Sequence, residues 1–142
     1  LFIVAFLALG PGLIVNTVFK DHWGRPRPAD IVQFGGTELY RHAWEPGQPG
    51  QGRSFPSGHA AIGFFLMAPF FVLRRRTPGW ALKALAAGVL YGGLMGLGRM
   101  IQGGHFLTDI IWSGVLVYLT GVVLCHAFRL DREGLQGRSP AC

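Results

Sequence analysis

Three short stretches of this chain gather side chains that packing alone does not explain. They are Lys20-Asp21-His22-Trp23-Gly24-Arg25-Pro26-Arg27-Pro28, Ser54-Phe55-Pro56-Ser57-Gly58-His59-Ala60, and the run from Gly98-Arg99 through Gly103-Gly104-His105 to Thr108-Asp109. Lys20, Arg27 and Arg99 suit a dianionic phosphate, the arginine forks matching its oxygens and the lysine serving as a point charge. Gly58 has no side chain to keep an oxygen away from backbone N–H groups near a helix start, where the dipole also favours an anion. His105 and Asp109 are four residues apart, so on a helix they share a face and the carboxylate can accept a hydrogen bond from one ring nitrogen. The other nitrogen then presents a lone pair able to attack phosphorus, with Asp109 stabilising the imidazolium that forms. His59, from a different segment, can protonate the leaving oxygen and later take a proton from the attacking water. The two histidines must then start in opposite protonation states.

Each piece also has a plainer explanation. A His and an Asp at i, i+4 can be a buried polar pair or two metal ligands, an Arg at a helix end often serves the headgroup region, and Pro-Ser-Gly is commonly a turn. A metal site fits poorly, because three cations would repel a divalent ion and a single carboxylate stands beside the histidines.

The elements that must position these residues are read from hydropathy. Of 142 residues, 50% are apolar and 14% charged, with a mean hydropathy of +0.36, which excludes a disordered chain and favours the bilayer as solvent. Four apolar segments stand out: Leu1 to Phe19, Ser57 to Leu73, Trp80 to Leu97 and Phe106 to Phe128. The expected fold is all-α, an integral membrane bundle with four transmembrane helices in a single domain over 1–142. The second span is the weakest, with a polar start and Pro69 to kink its inner end, and Gly10-Pro11-Gly12 predicts a break or bend in the first. Residues 20–55, rich in Gly and Pro, read as a long, mostly irregular loop with room for a short interfacial helix. Gly88, Gly92 and Gly96 recur every fourth residue and predict close helix packing.

Alternating spans put all three polar stretches on one membrane face. Lys and Arg number six there (Lys20, Arg25, Arg27, Arg41, Arg53, Arg99) and seven opposite (Arg74, Arg75, Arg76, Lys83, Arg129, Arg132, Arg138), so raw charge barely orients the chain. If some of the six are held in a substrate site they do not count towards orientation, and the triple-arginine face becomes cytoplasmic. The net charge of +6 is divided between two faces without a continuous stripe, which disfavours nucleic acid as a partner. Cys125 and Cys142 lack ligand partners at usable spacing and read as bystanders. The chain opens at Leu1 inside an apolar run, without a basic n-region or cleavage site, and reads as a fragment whose upstream part is missing rather than as a signal peptide.

Lys20, six residues, Arg27-Pro28; Pro56-Ser57-Gly58-His59; and Arg99, five residues, His105, three residues, Asp109 together resemble the three-part signature of the type-2 phosphatidic acid phosphatase superfamily. That group also includes bacterial acid phosphatases, lipid A phosphatases and vanadium haloperoxidases. The resemblance implies His105 as nucleophile through a phosphohistidine, Asp109 as its partner, His59 as general acid, and Lys20, Arg27, Arg99, Ser57 and Gly58 as phosphate ligands, with no metal and no cofactor. It also implies a six-helix bundle of which this chain carries the last four spans. Gly98 departs from the usual Ser before the third-motif Arg, removing one hydroxyl bond to phosphate. His22, Arg25, Arg41, His42 and Arg53 fit a substrate headgroup and a solvated loop near anionic lipid about equally well. His126 reads as interfacial, Trp80 as a belt anchor, and Trp112 and Tyr118 as bundle or lipid contacts.

The expected function is a metal-independent lipid phosphate phosphatase of a bacterial inner membrane, its site at the periplasmic face. Candidate substrates are phosphatidic acid, undecaprenyl diphosphate, phosphatidylglycerol phosphate and lipid A phosphates. A non-catalytic membrane module binding phosphorylated lipid is the alternative from another class, and a vanadium haloperoxidase fits less well because those relatives are soluble and larger.

Overall fold

The computed structural model describes residues 1–130, so Arg132, Arg138 and Cys142 lie outside the described residues. Four helices account for most of the chain: α1 (Phe2–His22), α2 (Gly58–Leu73), α3 (Pro78–Ile101) and α4 (Leu107–Ala127). Three of them, α1, α3 and α4, are long and apolar enough to cross a membrane; α2 is a shorter apolar helix. The architecture is a helical membrane bundle, with apolar side chains such as Leu82, Leu90 and Leu94 left outward on α3.

Sequence signals explain the ends. Ser57 caps α2 by accepting from the Ala60 N–H, Pro78 occupies the first turn of α3 where no N–H is needed, and Gly103 at φ +67° takes the left-handed turn just beyond α3. In α2 the backbone tightens to a 3₁₀ turn at Phe65–Met67, two residues before Pro69, the residue expected to kink this span. At Gly10-Pro11-Gly12, where a break or bend is expected, the chain stays helical. Ala8–Phe19 runs as a π-helix, whose wider turn accommodates Pro11. The Lys20 N–H bonds to the Val15 carbonyl five residues back, and the Asn16 side chain caps the Pro11 carbonyl at 2.7 Å.

The glycine repeat does what its spacing predicts. Cβ atoms at Gly88 and Gly92 would strike the Met67 backbone and the Phe64 ring of α2, and one at Gly96 would lie 2.5 Å from Ile110 of α4. Phe6, Val15, Ala61, Phe71 and Val117 form the buried core where α1, α2 and α4 meet. Residues between α1 and α2 are mostly irregular, with short 3₁₀ turns at Pro28–Asp30 and Val32–Phe34 and an isolated bridge between Ile31 and Glu38. Backbone bonds from Gly47 to Trp23, Ser54 to Arg25, and Ala29 to Gly103 tie this loop across the helix ends.

Candidate functional site

The polar stretches meet where α1 and α3 end and α2 and α4 begin. His105 follows Gly103 and Gly104 in the turn between α3 and α4, and only 3% of it is exposed. Its Nδ1 lies 2.6 Å from the Ser54 carbonyl oxygen. A carbonyl can only accept, so Nδ1 carries a proton, and in the neutral ring the lone pair then lies on Nε2. Asp109 stands 3.8 Å from the same nitrogen, close enough for charge attraction but beyond a hydrogen bond. The expected His105–Asp109 hydrogen bond is therefore replaced by one to backbone, because the Ser54 carbonyl reaches Nδ1 first.

Asp109 is fully buried at 0% exposure and its carboxylate is occupied elsewhere. Ser54 Oγ donates to Oδ2 at 2.6 Å, the Phe106 N–H donates to the same oxygen at 2.8 Å, and Arg25 forms a salt bridge to Oδ1. Ser54 thus bridges the pair, its carbonyl accepting from His105 and its hydroxyl donating to Asp109. Truncating Ser54 to Ala should leave one buried carboxylate lone pair unmet, worth about 1–3 kcal/mol. If the pair acts in catalysis, turnover measured on the variant should fall about tenfold or more.

Arg25 is the least expected member. It is 1% exposed, donates from Nε to the Arg41 carbonyl at 3.0 Å and from Nη1 to Thr108 at 2.8 Å, and lies 4.3 Å from the Phe106 ring centroid. A buried charge needs this degree of pairing to persist. Neither expectation for Arg25, headgroup ligand or solvated loop residue, describes a side chain enclosed under the site. Arg41 contributes its backbone carbonyl, while His42 stacks on Trp44 at 4.7 Å and His22 bonds to the Val18 carbonyl.

Around this buried pair lies a ring of cations. Lys20 is within electrostatic range of Arg53, Arg27 and Arg99, and His59 within range of Arg99, Lys20 and His105. Three separate parts of the chain therefore deliver positive or protonatable groups to one place. Arg99 bonds to Gln102 at 2.5 Å and passes close to Gly104, where a Cβ would sit 2.9 Å from Nη2. Its Nε is buried without a hydrogen-bond partner. Arg53 pairs with Asp21 at 2.6 Å on the exposed side of the ring. His59 and Arg27 are exposed.

Ser57 and Gly58 differ from expectation in detail. The Ser57 hydroxyl is buried and serves as the helix cap, accepting from Ala60 N–H and keeping its proton to donate. A Cβ on Gly58 would collide with the Asn16 side chain, so its bareness also serves the contact between α1 and α2. The pairing roles of Ser54 and Arg25 and the contact of Asn16 are not evident from the sequence; the Arg25-Pro26-Arg27-Pro28 repeat is the one available signal, and it does not say which arginine turns inward. Among the described residues no three metal-ligating side chains lie together.

The sequence profile of the PAP2 superfamily matches residues 1–133. A lipid A 4'-phosphatase of Francisella tularensis subsp. novicida (strain U112) is 43% identical over 132 residues, covering 90% of this chain and 58% of the relative. Lipid A 4'-phosphatases of Rhizobium leguminosarum and Rhizobium etli are 33% and 31% identical, each over 82% of this chain and 50% and 46% of the relative. The chain thus spans about half the length of the curated relatives it matches. No solved structure matches it significantly.

Proposed function

This chain belongs to the PAP2 superfamily, and on that premise we propose that it hydrolyses the phosphate of a membrane lipid through a phosphohistidine, without a metal. The observation that carries this reading is the single cluster of Lys20, Arg27, Arg53, Arg99, His59 and His105 over a buried His105–Ser54–Asp109 arrangement. In the first step the His105 Nε2 lone pair forms a bond to phosphorus while the bond to the lipid oxygen breaks. His59 gives that oxygen its proton, so the lipid leaves as an alcohol, or as a phosphate from a diphosphate. In the second, water attacks phosphorus, its proton passes to His59, and the P–N bond breaks to release phosphate.

Charge on the imidazolium is met by the Ser54 carbonyl at Nδ1 and by the Asp109 carboxylate beyond it. Lys20, Arg27 and Arg99, with Ser57 and Gly58 at the start of α2, would hold the phosphoryl oxygens. The names of the relatives make a lipid A 4'-phosphate the first substrate to try. If the cations of this face serve the site, Arg74, Arg75, Arg76 and Lys83 mark the cytoplasmic side, and residues 20–55 form an extracytoplasmic loop at a periplasmic site in a bacterial inner membrane.

The test is phosphate release in detergent with EDTA from lipid A, phosphatidic acid, phosphatidylglycerol phosphate and undecaprenyl diphosphate, with and without orthovanadate. Metal-independent, vanadate-sensitive release supports the reading; binding of lipid phosphate by folded protein without any release overturns it in favour of a binding module.

Two variants probe the assigned roles. His59→Gln should slow lipid phosphate hydrolysis about 10²–10⁴-fold, whereas the burst of p-nitrophenol that reports phosphoenzyme formation from p-nitrophenyl phosphate should slow far less, since that leaving group needs no proton. Gly98 faces open space within 4 Å of its missing Cβ. Gly98→Ser should therefore fit and add one hydrogen bond to phosphate, raising kcat/KM by up to about tenfold.

A further inference from the structure

We propose that Arg53, held by Asp21 in the free protein, is a subsite for a second anionic group of the substrate, beside the phosphate that is attacked. The inference rests on the phosphatase reading above, and gives a role to a cation that the two chemical steps leave without one. Arg53 directly precedes Ser54, whose carbonyl and hydroxyl engage His105 and Asp109, and Asp21 directly follows Lys20. The Ser54 N–H bonds to the Arg25 carbonyl at 3.0 Å, which ties the backbone next to Arg53 to the buried side of the site. Of the three arginines whose charge acts on Lys20, Arg53 acts most strongly, ahead of Arg27 and Arg99. Its guanidinium is thus a close neighbour of the phosphate cluster.

What Arg53 holds in the free protein is easily exchanged. Its Nη2 donates to one Asp21 oxygen, Oδ1, at 2.6 Å, and the two side chains are 57% and 45% exposed. An exposed ion pair contributes little to stability, whereas a guanidinium facing a phosphate can use two parallel N–H bonds. Charge counting points the same way. Lys20, Arg27 and Arg99 already exceed the charge of a phosphate monoester, about −1.5 to −2 at pH 7, so that group is met without Arg53. Asp21 is then a resident competitor, which neutralises Arg53 until a second anion takes its place. That anion is either the other phosphate of a diphosphate or a separate charged group across a short linker, and to Arg53 both present the same pair of anionic oxygens.

Three non-hydrolysable ligands test the subsite by titration calorimetry in detergent. One is a phosphonate analogue of phosphatidic acid, with a single anionic group. The second is a phosphonate analogue of phosphatidylglycerol phosphate, whose second anion lies across a glycerol, and the third a methylene-bridged analogue of a prenyl diphosphate, whose second anion lies on the next phosphorus. The titrations are run at about 1 M salt, where the screening length is about 3 Å, so that a selective loss reports contact rather than field. Arg53→Gln should weaken a two-anion ligand about tenfold more than the one-anion ligand, and Asp21→Asn should tighten the same two-anion ligand about twofold. Both side chains are exposed, so neither change opens a cavity, and a purely structural ion pair would instead give weaker binding in both variants. Whichever two-anion ligand responds identifies the source of the second group. Equal weakening of all three ligands by Arg53→Gln, or weaker binding in both variants, overturns the subsite. Phosphate release from lipid phosphates by the unmodified protein is measured alongside. Release together with either of those results overturns the subsite alone, and no release from any lipid phosphate overturns the phosphatase reading on which it rests.

Discussion

Replacing His105 with alanine is expected to lower phosphate release by at least about 10⁴-fold, to the level that binding and electrostatics alone sustain. The expectation follows from the way Nδ1 is committed to the Ser54 carbonyl, which leaves Nε2 as the group with a lone pair to offer. No neighbouring side chain can substitute: His59 comes from the start of α2 and Asp109 has its carboxylate oxygens engaged by Ser54, Phe106 and Arg25. Added imidazole should restore part of the activity by filling the vacated space. Rapid acid-free quenching of the unmodified protein with labelled substrate should trap label on protein, and the His105→Ala protein should show none. Full activity in the variant would remove the covalent path.

Arg25→Met should give the second largest loss, although Arg25 lies beneath the site rather than in it. It removes the cation paired with a fully buried carboxylate, and breaking such a pair costs about 3–5 kcal/mol. Part of that cost appears as lower stability in detergent. The remainder should appear as a fall of about 10²–10³ in kcat with little change in KM, because Asp109 is left to move or neutralise and no longer stabilises the His105 imidazolium. Combining Arg25→Met with Asp109→Asn should cost much less than the sum of the two single changes, since the second change removes the uncompensated charge that the first creates. Additive losses would mean that the two side chains act independently.

Much of the site was legible because its spacing is local. His105 and Asp109 fall at i, i+4, Lys20 sits at the polar end of an apolar run, and Ser57-Gly58-His59 opens another, so each position could be read from a few neighbours. The buried pairing was not legible, since Arg25 and Ser54 meet Asp109 across 84 and 55 residues of chain and only the folded loop brings them together. The cap that Ser57 places on α2 was not legible from its family position, which implies a phosphate ligand, a role its remaining proton still allows. Gly10-Pro11-Gly12 marked an irregular stretch without giving its form. Pro and Gly mark where an α-helix fails, but they do not distinguish a break from a wider turn that keeps the chain helical. The glycine repeat of α3 succeeded because close approach leaves a periodic trace in sequence.

The π-helical stretch of α1 makes the length of that span a dimension of the site. Lys20 leaves the helix in a direction set by counting residues through Ala8–Phe19, and each residue of α-helix turns a side chain by about 100°. Losing a single residue from this stretch would let the backbone relax toward ordinary α geometry and preserve its apolar character. It would also swing Lys20 away from Arg99 and His59, and draw Asn16 out from under Gly58. Substitutions among the outward-facing apolar residues here should be well tolerated, whereas one-residue insertions and deletions should not be. The span works as a gauge, whose tolerance is finer in residue number than in residue identity.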